Sequence, residues 1–385
     1  MKSEHRFTKN LVAGVGVIGV LAGIVSCGGG GASNGGGTTS LQTKAQLGQA
    51  LFFDTTLSTP SGMSCGTCHS PNRNFTDPRP GPTSAGVVPG LFGFRNTPSI
   101  KYMAYSPTFS ISGGEGGGAI GGQFWDGRAA DLQSQAKFPF LNPIEMNNPS
   151  AAAVVAAVAK GSSASAMKRL YGATIFDDTN KAFDAIVDAI ATFERTPAVS
   201  PFSSKYDAFL KGLTQLSAAE VRGLGLFNGK GGCSGCHTST SAPDGTPPLF
   251  TNFCYANLGL PKNKNNPYYT LPSKFNPLGS SFIDIGLQTT TASASDAGNF
   301  MTPTLRNVAV TPPYFHNGVF STLDQVVNFY NTRDLGGFDP PEVPQTMDKT
   351  ELGDLKLTAQ ESSDIVAFMN TLTDGYVVPT PGKHP

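Results

Sequence analysis

Two pentapeptides carry the chemistry of this chain: Cys65-Gly66-Thr67-Cys68-His69 and Cys233-Ser234-Gly235-Cys236-His237. Cys-x-x-Cys-His is the attachment signature of c-type haem. Two thiols three positions apart reach the two vinyl groups of one porphyrin, and the next residue places an imidazole under the iron. A zinc site would need four Cys or His ligands. Beyond the first thirty residues and outside the pentapeptides, the chain offers only Cys254, His316 and His384. A redox dithiol does not call for a His after its second Cys, and here both copies have one. The expectation is two covalently bound haem c groups and redox chemistry.

What reaches the sixth position of each iron decides between carrying electrons and doing chemistry. With His69 and His237 as proximal ligands, bis-histidine coordination at both haems is impossible without the tail residue His384. Methionines are available at Met63, Met103, Met146, Met167, Met301, Met347 and Met369. A thioether ligand raises the potential of its haem, whereas an open position admits peroxide.

The elements that must position these groups read as an internal repeat. Each half opens with an amphipathic helix, the first around Leu47, Leu51 and Phe52, the second from the capping box Ser217-x-x-Glu220 to Leu226 and Phe227. Each half then reaches its Cys-x-x-Cys-His and closes with another amphipathic helix. Phe183, Ile186, Val187, Ile190 and Phe193 mark the first of these; Ile365, Phe368, Met369 and Leu372, after Thr358-x-x-Glu361, mark the second. This is the plan of a class I cytochrome c. A mainly α, loop-rich chain of two tandem cytochrome c-like domains with one haem each is expected, residues 42–200 and 201–376, with Pro197 and Pro201 stopping the first closing helix. Residues 377–385 form a Pro/Gly tail.

At the N-terminus Lys2, Arg6 and Lys9 precede an apolar run from Leu11 to Val25, the pattern of a secretory signal over residues 1–26. A Gly/Ser-rich tether over 27–41 follows. Ile24-Val25-Ser26-Cys27 resembles a bacterial lipobox, in which Cys27 becomes the lipidated first residue; an ordinary signal with an incidental Cys is the alternative. Gly28 after Cys27 suits an outer-membrane destination, so a periplasm-facing lipoprotein held by its lipid anchor is expected. The 27 basic and 27 acidic residues balance, which gives no case for nucleic-acid binding. Only 14% of residues are charged while Gly and Pro number 46 and 29, as suits a chain in which cofactors replace part of the core. With four of six cysteines in the haem motifs and one in the lipobox, Cys254 stands alone and a disulfide framework is excluded.

Six further stretches, taken in order around the two haem motifs, resemble the bacterial dihaem cytochrome c peroxidase/MauG family. They are Leu51-Phe52-Phe53-Asp54, Arg95-Asn96-Thr97-Pro98, Phe124-Trp125-Asp126-Gly127-Arg128-Ala129, Asn142-Pro143-Ile144-Glu145-Met146, Pro303-Thr304-Leu305-Arg306-Asn307-Val308 and Pro313-Tyr314-Phe315-His316-Asn317-Gly318. The resemblance implies that Glu145 is a distal acid/base, that Gln135 positions H2O2, and that Trp125 relays electrons between the haems. It implies a calcium ion held by the Asn96 side chain and the carbonyls of Thr311 and Pro313. Arg306 and His316 are expected to face haem propionates or the domain interface. Members that need activation carry a His after the first haem, and residues 70–125 contain none. Peroxidases end the Leu323–Tyr330 stretch with a Met ligand and MauG-like members with Tyr; here Tyr330 is the expected ligand of the second haem, with Met301 as the alternative. The implied activity is H2O2 reduction with electrons from a small cytochrome c or cupredoxin. Oxidation of Trp or Tyr on a protein partner, and a purely electron-transferring dihaem cytochrome, are the alternatives.

Overall fold

The computed structural model describes residues 41–379. The helices are α1 (Lys44–Phe52), α2 (Cys65–Cys68), α3 (Leu132–Leu141), α4 (Ala151–Lys160), α5 (Ala164–Tyr171), α6 (Thr179–Glu194), α7 (Lys205–Leu210), α8 (Ala218–Asn228), α9 (Gln288–Thr291), α10 (Leu323–Thr332) and α11 (Ala359–Asn370). One short antiparallel pair joins β1 (Tyr255–Ala256) to β2 (Phe300–Met301), with Tyr255 opposite Met301. Loops and 3-10 turns make up the rest. The signal segment, Cys27 and most of the expected tether lie outside the described residues, as does the end of the tail.

The helix starts follow from their caps. Ser217 Oγ accepts the Glu220 amide while Glu220 Oε2 accepts the Ser217 amide, and Thr358 with Glu361 repeats the arrangement at α11. Each such box satisfies two otherwise orphaned N–H groups. Helix α1 opens on a box the spacing rule also covers, Thr43 with Gln46. The apolar faces then pair as the repeat requires. Leu47, Leu51 and Phe52 of α1 join Ile186, Ile190 and Phe193 of α6 in one core cluster, while Phe227 of α8 packs with Phe368 of α11.

Glycine sets how closely these pairs approach. A Cβ built on Gly48 of α1 would stand 1.8 Å from the Ala189 carbonyl oxygen of α6, and one on Gly223 of α8 would stand 1.9 Å from that of Asp364 in α11. The two helix pairs therefore cross in backbone contact, at equivalent places in the two halves.

A second level of repeat lies in the loops. Thr97-Pro98-Ser99-Ile100-Lys101-Tyr102 and Thr302-Pro303-Thr304-Leu305-Arg306-Asn307 both end in a left-handed residue, Tyr102 at φ 64° and Asn307 at φ 65°, followed by a 3-10 turn. The two halves lie in one compact unit. Buried ties explain this. Lys101 and Tyr102 of the first half both bond Asp374, Arg95 pairs with Asp284, and the Met301 amide donates to the Trp125 carbonyl at 2.9 Å.

Gly223→Ala should lower the unfolding free energy by about 1–3 kcal/mol through overpacking at the crossing. Denaturant titration of the haem-loaded protein checks this, and an exposed-site control such as Gly225→Ala, with open space around its Cβ, should lose nothing comparable.

Candidate active site

Two cavities hold the two pentapeptides. Cys65, Cys68 and His69 line an N-terminal cavity of about 2250 Å³; Cys233, Cys236 and His237 line a C-terminal one of about 1440 Å³. Within each, the proximal imidazole is already set. His69 Nδ1 lies 3.1 Å from the Phe75 carbonyl and His237 Nδ1 lies 2.9 Å from that of Phe250. Donation from Nδ1 fixes the tautomer with its other nitrogen as the metal-binding atom. Phe75 and Phe250 adopt φ of 57° and 54°, a strained conformation for a bulky residue that aims each carbonyl at its His. Burial depresses both imidazoles, His237 to about 4, which keeps them neutral as ligands must be. Burial also pushes Cys68 up to about 11 and Cys233 to about 12. The residues present fit two covalently attached haems.

The N-terminal cavity brings together Glu145, Gln135 and Trp125. Helix α3 carries Gln135 and ends at Asn142, whose Oδ1 accepts the Ile144 amide and whose Nδ2 donates to Glu145 Oε1 at 2.8 Å. Gly86 seals the turn from the other side: the Val87 amide donates to the Glu145 carbonyl at 2.8 Å, and a Cβ on Gly86 would stand 1.7 Å from the Ile144 oxygen. Burial raises the Glu145 carboxyl above its ordinary value, opposed by the Arg128 charge and the Asn142 bond. Met63, Met103 and Met146 line the same cavity, Met63 and Met146 being buried in the adjoining apolar core.

The C-terminal cavity presents Tyr330, from the last turns of α10. Burial drives its phenol far above the usual range, with Cys233 and Cys236 close enough to add to the rise. A phenolate there requires a metal cation as counter-ion. Met301 lines both cavities, its main chain held by Tyr255 and Trp125.

Trp125 also lines both cavities. Its Nε1 donates to the Asn96 carbonyl at 2.9 Å, and its own carbonyl takes the Met301 amide, so the indole is fixed from each half of the chain. Beside it Arg95 pairs with Asp126 and Asp284, both at 2.7 Å and all buried, and Arg128 completes the charge balance on Asp126. His316 stacks on Phe300 at 3.5 Å and 9°, lines the C-terminal cavity, and has both ring nitrogens buried without a protein partner. Burial lowers its imidazole to about 3, so the ring is neutral. Arg306 lines the N-terminal cavity and lies at the interface between the halves. Both its terminal nitrogens bond Asp207 at 2.9 Å and Nε donates to the Pro248 carbonyl, so its hydrogen-bonding edge is taken by protein. Its guanidinium lies over Tyr102 of the first half. Asn96, Thr311 and Pro313, the residues implied for calcium, line the N-terminal cavity together.

Glu194 was not legible as a site residue. It lines the N-terminal cavity near Cys65, is 4% exposed, and burial raises its carboxyl to about 8. The available signal was its place four residues after Ile190 on the apolar face of α6.

Two cavities, each with a Cys-Cys-His set and an oriented imidazole, define a dihaem c-type cytochrome; carboxyls line both, Glu145 and Glu194 the N-terminal one and Asp284, Glu342 and Glu351 the C-terminal one. The comparisons agree. A family model described as di-haem cytochrome c peroxidase matches residues 42–215. Methylamine utilization protein MauG of Paracoccus denitrificans is 38% identical over 86% of this chain and 88% of its own length. Cytochrome c551 peroxidase of Nitrosomonas europaea is 32% identical over 93% and 88%. The crystal structure of the diheme peroxidase BthA from Burkholderia thailandensis superposes with a TM-score of 0.77 at 33% identity, covering 86% of each chain. The chain belongs to the dihaem cytochrome c peroxidase family, a family of haem oxidoreductases.

Tyr330→Phe should change the ferric spectrum of the C-terminal haem and Met301→Leu should leave it alone; the reverse pattern would give the ligand role to Met301. Glu194 also has a pH consequence. Its folded pKa of about 8 stands above the ordinary 4.5, so its contribution is fully present below pH 4.5 and lost as pH rises through about 8. Unfolding titrations of Glu194→Gln should show a flatter decline across that window.

Proposed function

We propose that this chain reduces hydrogen peroxide in the N-terminal cavity and draws the electrons through Trp125 and the C-terminal cavity from a small cytochrome c or cupredoxin. The observation that carries this reading is Glu145, a buried carboxyl anchored by Asn142 in the cavity of His69. When bound, the haem supplies an iron on which the O–O bond is cleaved and through which two electrons arrive. The chain supplies the proton movements. Glu145 takes a proton from the near peroxide oxygen and returns it to the far one, which leaves as water. Gln135 holds the peroxide by its amide, and two protons with two electrons complete its conversion to two waters.

Glu145 must be ionised to accept that proton, and burial raises its carboxyl. The rate is therefore lost as pH falls through this raised value. Glu145→Gln should cut kcat/KM for peroxide by about 10²–10⁴-fold and erase that acid limb; an unchanged pH profile would remove Glu145 from the role.

A second reading, oxidation of Trp or Tyr on a protein partner, is favoured by Tyr330, since an anionic oxygen ligand lowers the potential of its haem and makes it a poor electron acceptor. Steady consumption of reduced cytochrome c on adding H2O2 selects the first reading; its absence, with peroxide still consumed, selects the second. A non-enzymatic electron carrier would show two low-spin ferric EPR signals and no high-spin one. We also propose a Ca²⁺ ion at Asn96, Thr311 and Pro313, supported by their convergence on one cavity beside the Asn96–Trp125 bond. Chelation should then alter the haem spectra, and Ca²⁺ alone should restore them. Cys27 supports a further proposal, a lipid-anchored chain facing the periplasm from the outer membrane; no described helix is long and apolar enough to cross a membrane.

A further inference from the structure

Tyr102 stands where the second copy of the loop repeat has Asn307. Its counterpart Asn307 adopts the same left-handed conformation, in which Asn is common and a large aromatic residue is strained. Tyr102 is fully buried, and its hydroxyl donates to Asp374 Oδ1 at 2.8 Å. Asp374 is itself buried and is held by Lys101 and Asn307 on Oδ2. Among the described tyrosines only Tyr171 also donates to a carboxylate, and its partner Asp188 lies on the solvent side with Lys44.

The ring stands close to the haem sites on one side and to the surface on the other. Ile100 and Met103 on its own loop line the N-terminal cavity, as does Arg306, whose guanidinium lies 4.9 Å from the Tyr102 ring centre. Leu305 and Val308, which flank Arg306 and Asn307, line both cavities. Outward, Phe202 packs edge-on to Tyr102 at 4.9 Å and Tyr105 packs edge-on to Phe202 at 5.6 Å, with Tyr105 40% exposed.

We propose that Tyr102, with Asp374 as its proton acceptor, is a redox-active tyrosine that stores an oxidising equivalent and exchanges it with the surface at Tyr105. The proposal rests on the peroxide reading for its oxidant. Each H2O2 reduced leaves two oxidising equivalents in the protein. One electron leaves the Tyr102 ring to fill one of them, and the phenolic proton crosses the 2.8 Å bond to Asp374 Oδ1, giving a neutral phenoxyl radical. A ring that kept its proton would be a cation against Arg306, which disfavours that form. The cycle closes when one electron from an external donor returns through Phe202 and the proton moves back.

The test is freeze-quench EPR of the dihaem protein mixed with H2O2 in the absence of a donor, prepared with ordinary or ring-deuterated tyrosine. The expected result is an organic radical signal that narrows on deuteration and is lost in Tyr102→Phe, while peroxide consumption persists. A signal indifferent to deuteration in the unsubstituted protein overturns the proposal whether or not the variant folds, and so does a tyrosyl signal that survives in Tyr102→Phe. Flash photo-oxidation with a ruthenium tris-bipyridine sensitiser separates the two readings. If peroxide is not consumed, the peroxide reading fails, while a photo-generated radical still shows whether Tyr102 holds the oxidising equivalent.

Discussion

Backbone contact between helices at Gly48 and Gly223 is the constraint on which both halves depend. Where two helices meet without intervening side chains, their spacing and angle are fixed by main-chain shape, and a single added carbon is refused at 1.8–1.9 Å. Each crossing then holds the ends of one half together. Helix α1 delivers the chain to Cys65 and α8 delivers it to Cys233, while α6 and α11 close the same halves. With those ends fixed, the intervening chain is free to be loop. This is how a protein with 46 glycines and 29 prolines holds two cavities in place.

The proximal sides of the two cavities are built alike and the distal sides differently. Both imidazoles are aimed by the carbonyl of a Phe at positive φ, and both cavities are bounded by a Thr-Pro loop. Strain of order 1–3 kcal/mol at each Phe is tolerated because the surrounding structure over-determines it. The cavity of His69 holds Glu145 on a glycine-sealed turn, and the cavity of His237 holds Tyr330 on a helix. A carboxyl moves protons near neutral pH, whereas a buried phenol ionises only against a metal.

Most of this was legible where the signal was local. Capping boxes at Ser217 and Thr358, apolar spacing in the closing helices and the pentapeptides themselves located both halves. The gathering of Glu145, Gln135 and Trp125 in one cavity followed from family motifs. What escaped was decided by tertiary approach. Gly48 and Gly223 look like ordinary helix glycines until their neighbours are known. Glu194 reads as a solvent-facing charge at a helix end. The partner of Arg306, expected to face a propionate or the domain interface, is Asp207, a residue 99 positions away whose own sequence context suggests only a capping box.

The buried charges between the halves set their relative position more than they stabilise the fold. Taking Arg95, Asp126 and Asp284 out of water costs several kcal/mol per ion before their mutual attraction offsets it, and such sites often gain stability when replaced by apolar residues. Their value lies in geometry. Arg95 reaches Asp126 beside Trp125 and Asp284 beside His316 with the same planar group, so a slip of one half against the other would leave a buried charge unpaired. The Lys101–Asp374 and Tyr102–Asp374 bonds impose the same penalty on the other side of the interface. Two cytochrome-like halves joined only by a linker would let the cavities drift; this network holds Trp125 against both. Arg95 borders the N-terminal cavity and Asp284 the C-terminal one, so the pair that fixes the halves also fixes the two cavities against each other.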